Sequence, residues 1–139
     1  MFIFPLDSIS ETKKNLTTKF NEVNVRNGPG LNHLKIYKIL KKGYPLKVIK
    51  EFESWKKVKD FKGVLGWVSN SQLSDKAFGI VIIDEEVIFK FPELKSKKIA
   101  KIKKNFVIQI KKCSVDWCFV EEGEIKGWIP KKSFWGFKN

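Results

Sequence analysis

Gly-Trp followed by an aliphatic residue occurs twice in this chain, as Gly66-Trp67-Val68 and Gly127-Trp128-Ile129, and each copy closes the same series of landmarks. KKGYPLKV (41–48) and ESWKKV (53–58) precede the first; KKNFVIQI (103–110) and VDWCFV (115–120) precede the second. Lys41, Lys42, Leu46, Val48, Trp55 and Val58 match Lys103, Lys104, Ile108, Ile110, Trp117 and Val120 at a constant offset of 62. One residue is lost before the Gly-Trp pairs, whose tryptophans lie 61 positions apart. An internal repeat of this length is a strong constraint, because a unit of ~60 residues buries only roughly 60% of its unfolded surface and must build a core from very short elements.

The landmarks read as strands and turns. Phe106, Ile108 and Ile110 alternate with Val107, Gln109 and Lys111, the period-two pattern of a strand with one face inward. Gly43 and Asn105 follow Lys-Lys pairs at a place where a turn requires positive φ, which these two residue types tolerate best. DFKG (60–63) and EEGE (121–124) have the composition of hairpin turns, and Gly66 and Gly127 mark a bulge or a close backbone approach. SNSQL (69–73) and PKKSF (130–134) are long enough for one 3₁₀ turn before a last strand. The acidic runs Asp84-Glu85-Glu86 and Glu121-Glu122 are assigned to turns as solvated charge. Five or so short strands per copy, with no amphipathic helix, define an all-β chain of two small barrels in tandem. The expected organisation is a flexible lead-in over 1–19, a first barrel over 20–79 and a second, diverged barrel over 80–139.

VNVRNGPG (23–30), KKG (41–43), ESWKKV and LGWVSNSQLS (65–74) together resemble a bacterial SH3 (SH3b) domain, whose pattern runs Asn-Val-Arg-x-Gly-Pro, Lys-x-Gly, Trp-x-x-Val and Gly-Trp-Val. Residues 80–139 resemble a second copy, and the whole is similar to two-repeat alphaproteobacterial SH3-like proteins, including the cysteine pair and the closing FWG. The second copy departs at VIFKFPEL (87–94), which keeps Pro92 but sets Phe89 and Phe91 where Arg26 and Gly28 stand. The resemblance implies two SH3-like β-barrels forming a non-enzymatic binding or scaffold module of the cell envelope. Its partner would be a peptidoglycan peptide or another envelope protein, and its place the periplasm or cell envelope.

A groove of aromatic side chains is the expected means of binding, since stiff extended peptides lose little entropy on docking there. Tyr37, Trp55 and Trp67 in the first copy, and Trp117, Trp128 and Trp135 in the second, are the candidates, with Arg26 for an anionic group. Each also reads as structure. Trp67 and Trp128, between a glycine and an inward aliphatic residue, suit the core, whereas Trp55 and Trp117, beside turns, suit exposure. Arg26 suits either anion binding or hydrogen bonding within its own barrel.

Cys113 and Cys118 bracket a four-residue hairpin loop and read either as a disulfide or as two reduced core thiols. A zinc site needs about four ligands; beside these thiols the chain has one histidine, His33, so no metal is expected. The single histidine also leaves a thiol or serine nucleophile without a base, and no phosphate loop or cofactor motif appears, so neither catalysis nor a cofactor is expected.

A net charge of +13 raises the alternative of a cytoplasmic, nucleic-acid-binding small barrel. The charge is spread along the chain, and Arg26 is the only arginine. A- and T-rich codons would by themselves enrich Lys, Ile, Phe and Asn together. Apolar runs such as Ile80-Val81-Ile82-Ile83 are too short to span a bilayer, and Met1–Leu6 lacks the basic start of an export signal.

Overall fold

The computed structural model describes residues 14–136. The first unit contains β1 (Asn15–Thr18), β2 (Val23–Arg26), β3 (Lys35–Ile39), β4 (Pro45–Phe52), β5 (Trp55–Lys59), β6 (Leu65–Ser69) and β7 (Leu73–Ser74). The second contains β8 (Phe78–Val81), β9 (Glu85–Phe89), β10 (Lys98–Lys103), β11 (Val107–Cys113), β12 (Trp117–Glu122), β13 (Ile125–Pro130) and β14 (Phe134–Trp135). Their strand orders are β3-β2-β6-β5-β4-β1-β7 and β10-β9-β13-β12-β11-β8-β14, the same order advanced by seven. The chain is therefore all-β, with two small SH3-like barrels of one topology, and the compact units change over between Asp75 and Lys76.

The repeat extends to individual residue pairs. Val48 faces Val58 and Ile110 faces Val120, with a bulge between Val48 and Lys50 in one barrel and between Ile110 and Lys112 in the other. Each bulge shifts the face presented by the rest of its strand, which is how a short sheet bends into a barrel. Gly43 and Asn105 have φ of 85° and 76°. Gly66 and Gly127 mark close approaches, for a Cβ at Gly66 would meet Val25 Cγ1 and one at Gly127 would meet the carbonyl oxygen of Phe89.

Both cores come from the inward faces. Val25, Val48 and Val68 in the first barrel correspond to Ile88, Ile110 and Ile129 in the second, all buried. Burying a side chain of this kind is worth about 1.5–3 kcal/mol, so a handful of such positions dominates the stability of each unit. One pair of sizes is exchanged: Leu16 on β1 and Leu73 on β7 become Gly79 on β8 and Phe134 on β14. Phe134 fills the place the leucine leaves, close enough that a Cβ on Gly79 would strike its ring.

Several expectations differ from the structure, the first being that Phe78 and Gly79, assigned above to the first barrel, open β8 of the second unit. Asn15–Thr18, assigned above to the lead-in, form β1 and pair with β7, while residues 1–13 of that lead-in lie outside the described residues. Glu86 stands inside β9 and not in a turn: one carboxylate oxygen accepts the Val87 amide at 2.7 Å and the other the Ser133 hydroxyl. Glu121 and Glu122 end β12, and the turn after them is confined to Gly123 and Glu124. The 60–63 turn is built as composition suggests, with the Asp60 carboxylate accepting the amides of Lys62 and Val64, both at 2.9 Å.

Candidate functional site

In each barrel a loop, a hairpin tip and a 3₁₀ turn converge at one end of the sheet. The β2–β3 loop is closed by amide-to-carbonyl bonds from Asn27 to Leu34 (2.9 Å), Gly30 to Gly28 (3.0 Å) and His33 to Gly30 (3.2 Å). The β9–β10 loop repeats them from Lys90 to Lys97 (2.8 Å), Glu93 to Phe91 (2.7 Å) and Ser96 to Glu93 (3.1 Å). The loop path is thus the same although Arg26 and Gly28 have become Phe89 and Phe91. In the first loop Arg26 Nη1 donates to the carbonyls of Leu31 (3.2 Å) and His33 (2.9 Å). In the second, Ser96 Oγ accepts the Phe91 amide at 2.8 Å.

The hairpin tips are fixed to the 3₁₀ turns by another repeated bond. Asn70 N–H donates to the Ser54 carbonyl at 2.9 Å, and Lys131 N–H donates to the Asp116 carbonyl at 2.8 Å. The base of each hairpin is closed differently. Cys113 and Cys118, opposite each other in register with Cα atoms 4.0 Å apart, form a disulfide. At the same register in the first barrel Lys56 Nζ meets Glu51 Oε1 at 2.8 Å and also donates to Asn70 Oδ1 at 3.0 Å.

A groove opens between these elements in each barrel. The first, of about 410 Å³, is lined by Asn24 and Arg26 of β2, Leu31, Ser54 and Trp55 at the hairpin, and Ser69, Ser71 and Gln72 at the 3₁₀ turn. The second, of about 490 Å³, is lined by Leu94, the hairpin residues Val115, Asp116 and Trp117, and Pro130, Lys131 and Lys132. Leu31 with Leu94, Ser54 with Asp116, Trp55 with Trp117, Ser69 with Pro130 and Ser71 with Lys132 occupy equivalent positions. The first groove is polar, and Asn24 Oδ1 lies buried there without a hydrogen-bond partner among the described residues. The second groove is apolar except for its two lysines and Asp116.

Of the residues singled out in the sequence, the grooves bring together Trp55 with Arg26, and hold Trp117. Each of these two tryptophans is half-buried at the start of its strand. Trp67 and Trp128 lie elsewhere, on the outward face of β6 and β13, because their neighbours Gly66, Val68, Gly127 and Ile129 take the inward positions. Trp67 is opposite Arg26 and Lys57, whereas Trp128 is opposite Phe89 and Phe119. Phe119 and Trp128 meet edge to face at 5.4 Å, with Lys112 Nζ within 5.9 Å of both rings. Phe89 meets Trp117 in the same way at 5.7 Å. Tyr37 pairs with Val25 on β3 and Trp135 with Ile80 on β14, and neither lines a groove. Leu31, Leu94, Val115 and the polar 3₁₀ turns were not among the sequence candidates; the signal available for them was their equivalent place beside the aligned tryptophans. No three His, Cys, Asp or Glu side chains gather as a metal site among the described residues.

The bacterial SH3 domain family matches this chain twice, over residues 19–75 and 84–136. The chain therefore belongs to the bacterial SH3 family, whose domains are binding modules, and carries two copies in tandem. Among solved structures, NlpC2 from Trichomonas vaginalis is 15% identical with a TM-score of 0.41, over 93% of this chain and 49% of that one. An NlpC/P60 family protein from Bacillus cereus is 13% identical with a TM-score of 0.39, over 88% and 56%. A putative autolysin from Listeria monocytogenes is 13% identical with a TM-score of 0.40, over 94% and 65%. The chain spans about half the length of the NlpC2 chain it matches. No curated protein matches the sequence. Among the described residues no helix is long and apolar enough to cross a membrane.

Proposed function

We propose that the protein is a non-enzymatic binding module of the cell envelope in which each barrel, taken as one domain, offers its groove to a peptidoglycan peptide or a protein partner. The observation that carries this reading is that loop, hairpin tip and 3₁₀ turn enclose a groove at the same place in both barrels, with a half-buried tryptophan at equivalent positions. Trp55 and Trp117 supply an apolar platform of large area, and Arg26 and Asn24 supply polar selectivity in the first groove. The Cys113–Cys118 disulfide favours an oxidising compartment such as the periplasm.

The test is co-sedimentation with isolated peptidoglycan sacculi at low and physiological salt. The expected result is retention at physiological salt that falls roughly ten- to hundredfold in at least one of Trp55→Ala and Trp117→Ala, the loss of an aromatic contact worth about 1.5–3 kcal/mol. Circular dichroism of both variants checks that the fold is kept. Sedimentation that vanishes with modest salt in every variant alike would sink the wall-peptide reading and favour charge-driven binding to nucleic acid.

A further inference from the structure

We infer that the second barrel's groove is a docking site for an extended protein segment that presents a large apolar side chain next to carboxylates. This rests on reading the grooves as ligand sites and deepens it by separating the two. Leu94 and Val115 both line this groove and are 72% and 84% exposed, far more than any other aliphatic side chain described in the second barrel. Trp117 and Pro130 line the same groove. The Trp117 ring is held against Phe89, itself only 5% exposed, so the platform is rigid before any ligand arrives. Apolar surface gathered in a cleft gains free energy when a ligand removes it from water.

The charge at the rim sets the second requirement. Lys131 and Lys132 line the groove from the 3₁₀ turn, and Asp116, from the hairpin tip, is the one acid among the lining residues. The equivalent turn in the first barrel is Asn70-Ser71-Gln72, with no lysine, in a chain where lysine is otherwise abundant on both barrels. A carboxylate on the ligand therefore finds two lysines supplied by the second groove's own turn, whereas the cations beside the first groove, Arg26 and the Lys56 that reaches its turn, are already bonded to loop carbonyls and to Glu51; Asp116 steers the carboxylate toward the lysines by repulsion. A wall stem peptide also carries carboxylates, but its purely apolar side chains are alanine methyls, too small to cover Leu94, Val115 and Trp117 together. A protein segment with a leucine- or proline-sized side chain covers all three.

The test follows the indole N–H signals of Trp55 and Trp117 by NMR in the full oxidised chain. Three probes are titrated: the peptide acetyl-Ala-Leu-Pro-Leu-Asp-Glu-Ala-amide, its analogue with Asn and Gln for the acids, and a soluble peptidoglycan stem peptide. The first probe is expected to move Trp117 and not Trp55, and the amide analogue to bind about fivefold more weakly at low salt. Leu94→Ser, at a position too exposed to matter for folding, is expected to weaken the first probe roughly tenfold. The inference is overturned if Trp117 is unmoved by millimolar probe, if Trp55 responds equally, or if the stem peptide moves Trp117 while the probe does not. Failure here with Trp55-dependent retention on sacculi intact would remove this inference alone. Loss of that retention with probe binding at Trp117 intact would instead remove the wall ligand and leave the protein-binding groove.

Discussion

The two barrels share strand order, bulge positions and loop hydrogen bonds, yet at matching places they use different chemistry. The hairpin beside the groove is closed by Glu51 and Lys56 in one and by a disulfide in the other. Arg26 and Lys57 flank Trp67, whereas Phe89 and Phe119 flank Trp128. Backbone geometry is what the copies keep, because turns, bulges and close approaches admit few residue types. Outward side chains around the groove are held by no such requirement, so one scaffold comes to offer two surfaces.

The comparison is tested most severely at the tight glycines. Gly127→Ala is expected to cost about 3 kcal/mol, since its Cβ meets the backbone carbonyl of Phe89. Gly66→Ala, whose Cβ meets a valine methyl, should cost about 2 kcal/mol. Equal losses in chemical denaturation would show that the two approaches are not different in kind. Next in size, reducing Cys113–Cys118 with a dithiol should destabilise the second barrel by about 2 kcal/mol by loop-closure entropy. Glu51→Ala should change the first by no more than ~0.5 kcal/mol, because the glutamate side chain of that ion pair is 46% exposed. Calorimetry of the two unfolding transitions separates these, and a similar cost in both would mean that the disulfide and the ion pair hold their hairpins equally well. Smallest of all, Phe119→Ala should remove about 1 kcal/mol through its edge-to-face contact with Trp128, while Lys57→Ala stays within ~0.5 kcal/mol. A neutral Phe119→Ala would mean that the aromatic layer does not stabilise the second barrel.

Much of the fold is legible in the sequence because backbone demands leave marks on residue type. Gly43 and Asn105 announce positive φ, and alternation over Phe106–Lys111 announces a strand. β1 escapes that logic: Leu16, Thr17 and Thr18 are buried in succession, so its four residues show no alternation. Glu86 is missed for a related reason, since a third successive acidic residue looks solvated until Ser133 and the Val87 amide are known to face it. The grooves are the least legible feature. Aromatic residue type does not tell which face Tyr37 or Trp135 occupies, and Leu31 and Leu94 sit in irregular loops where no periodicity speaks for them. Only aligning one copy on the other puts these positions side by side.

The exchanged sizes at Leu16, Leu73, Gly79 and Phe134 bear on how a tandem repeat folds correctly. Strands of near-identical modules in one chain are liable to pair with the wrong copy, a common failure of repeat proteins. Here the closing strand of each barrel is a poor match for the other. Leu73 set against Gly79 would leave a void, and Phe134 set against Leu16 would overfill the core, each a penalty of kilocalorie order. The divergence of the two cores thus sets a packing penalty against exchanging β7 and β14 between the modules.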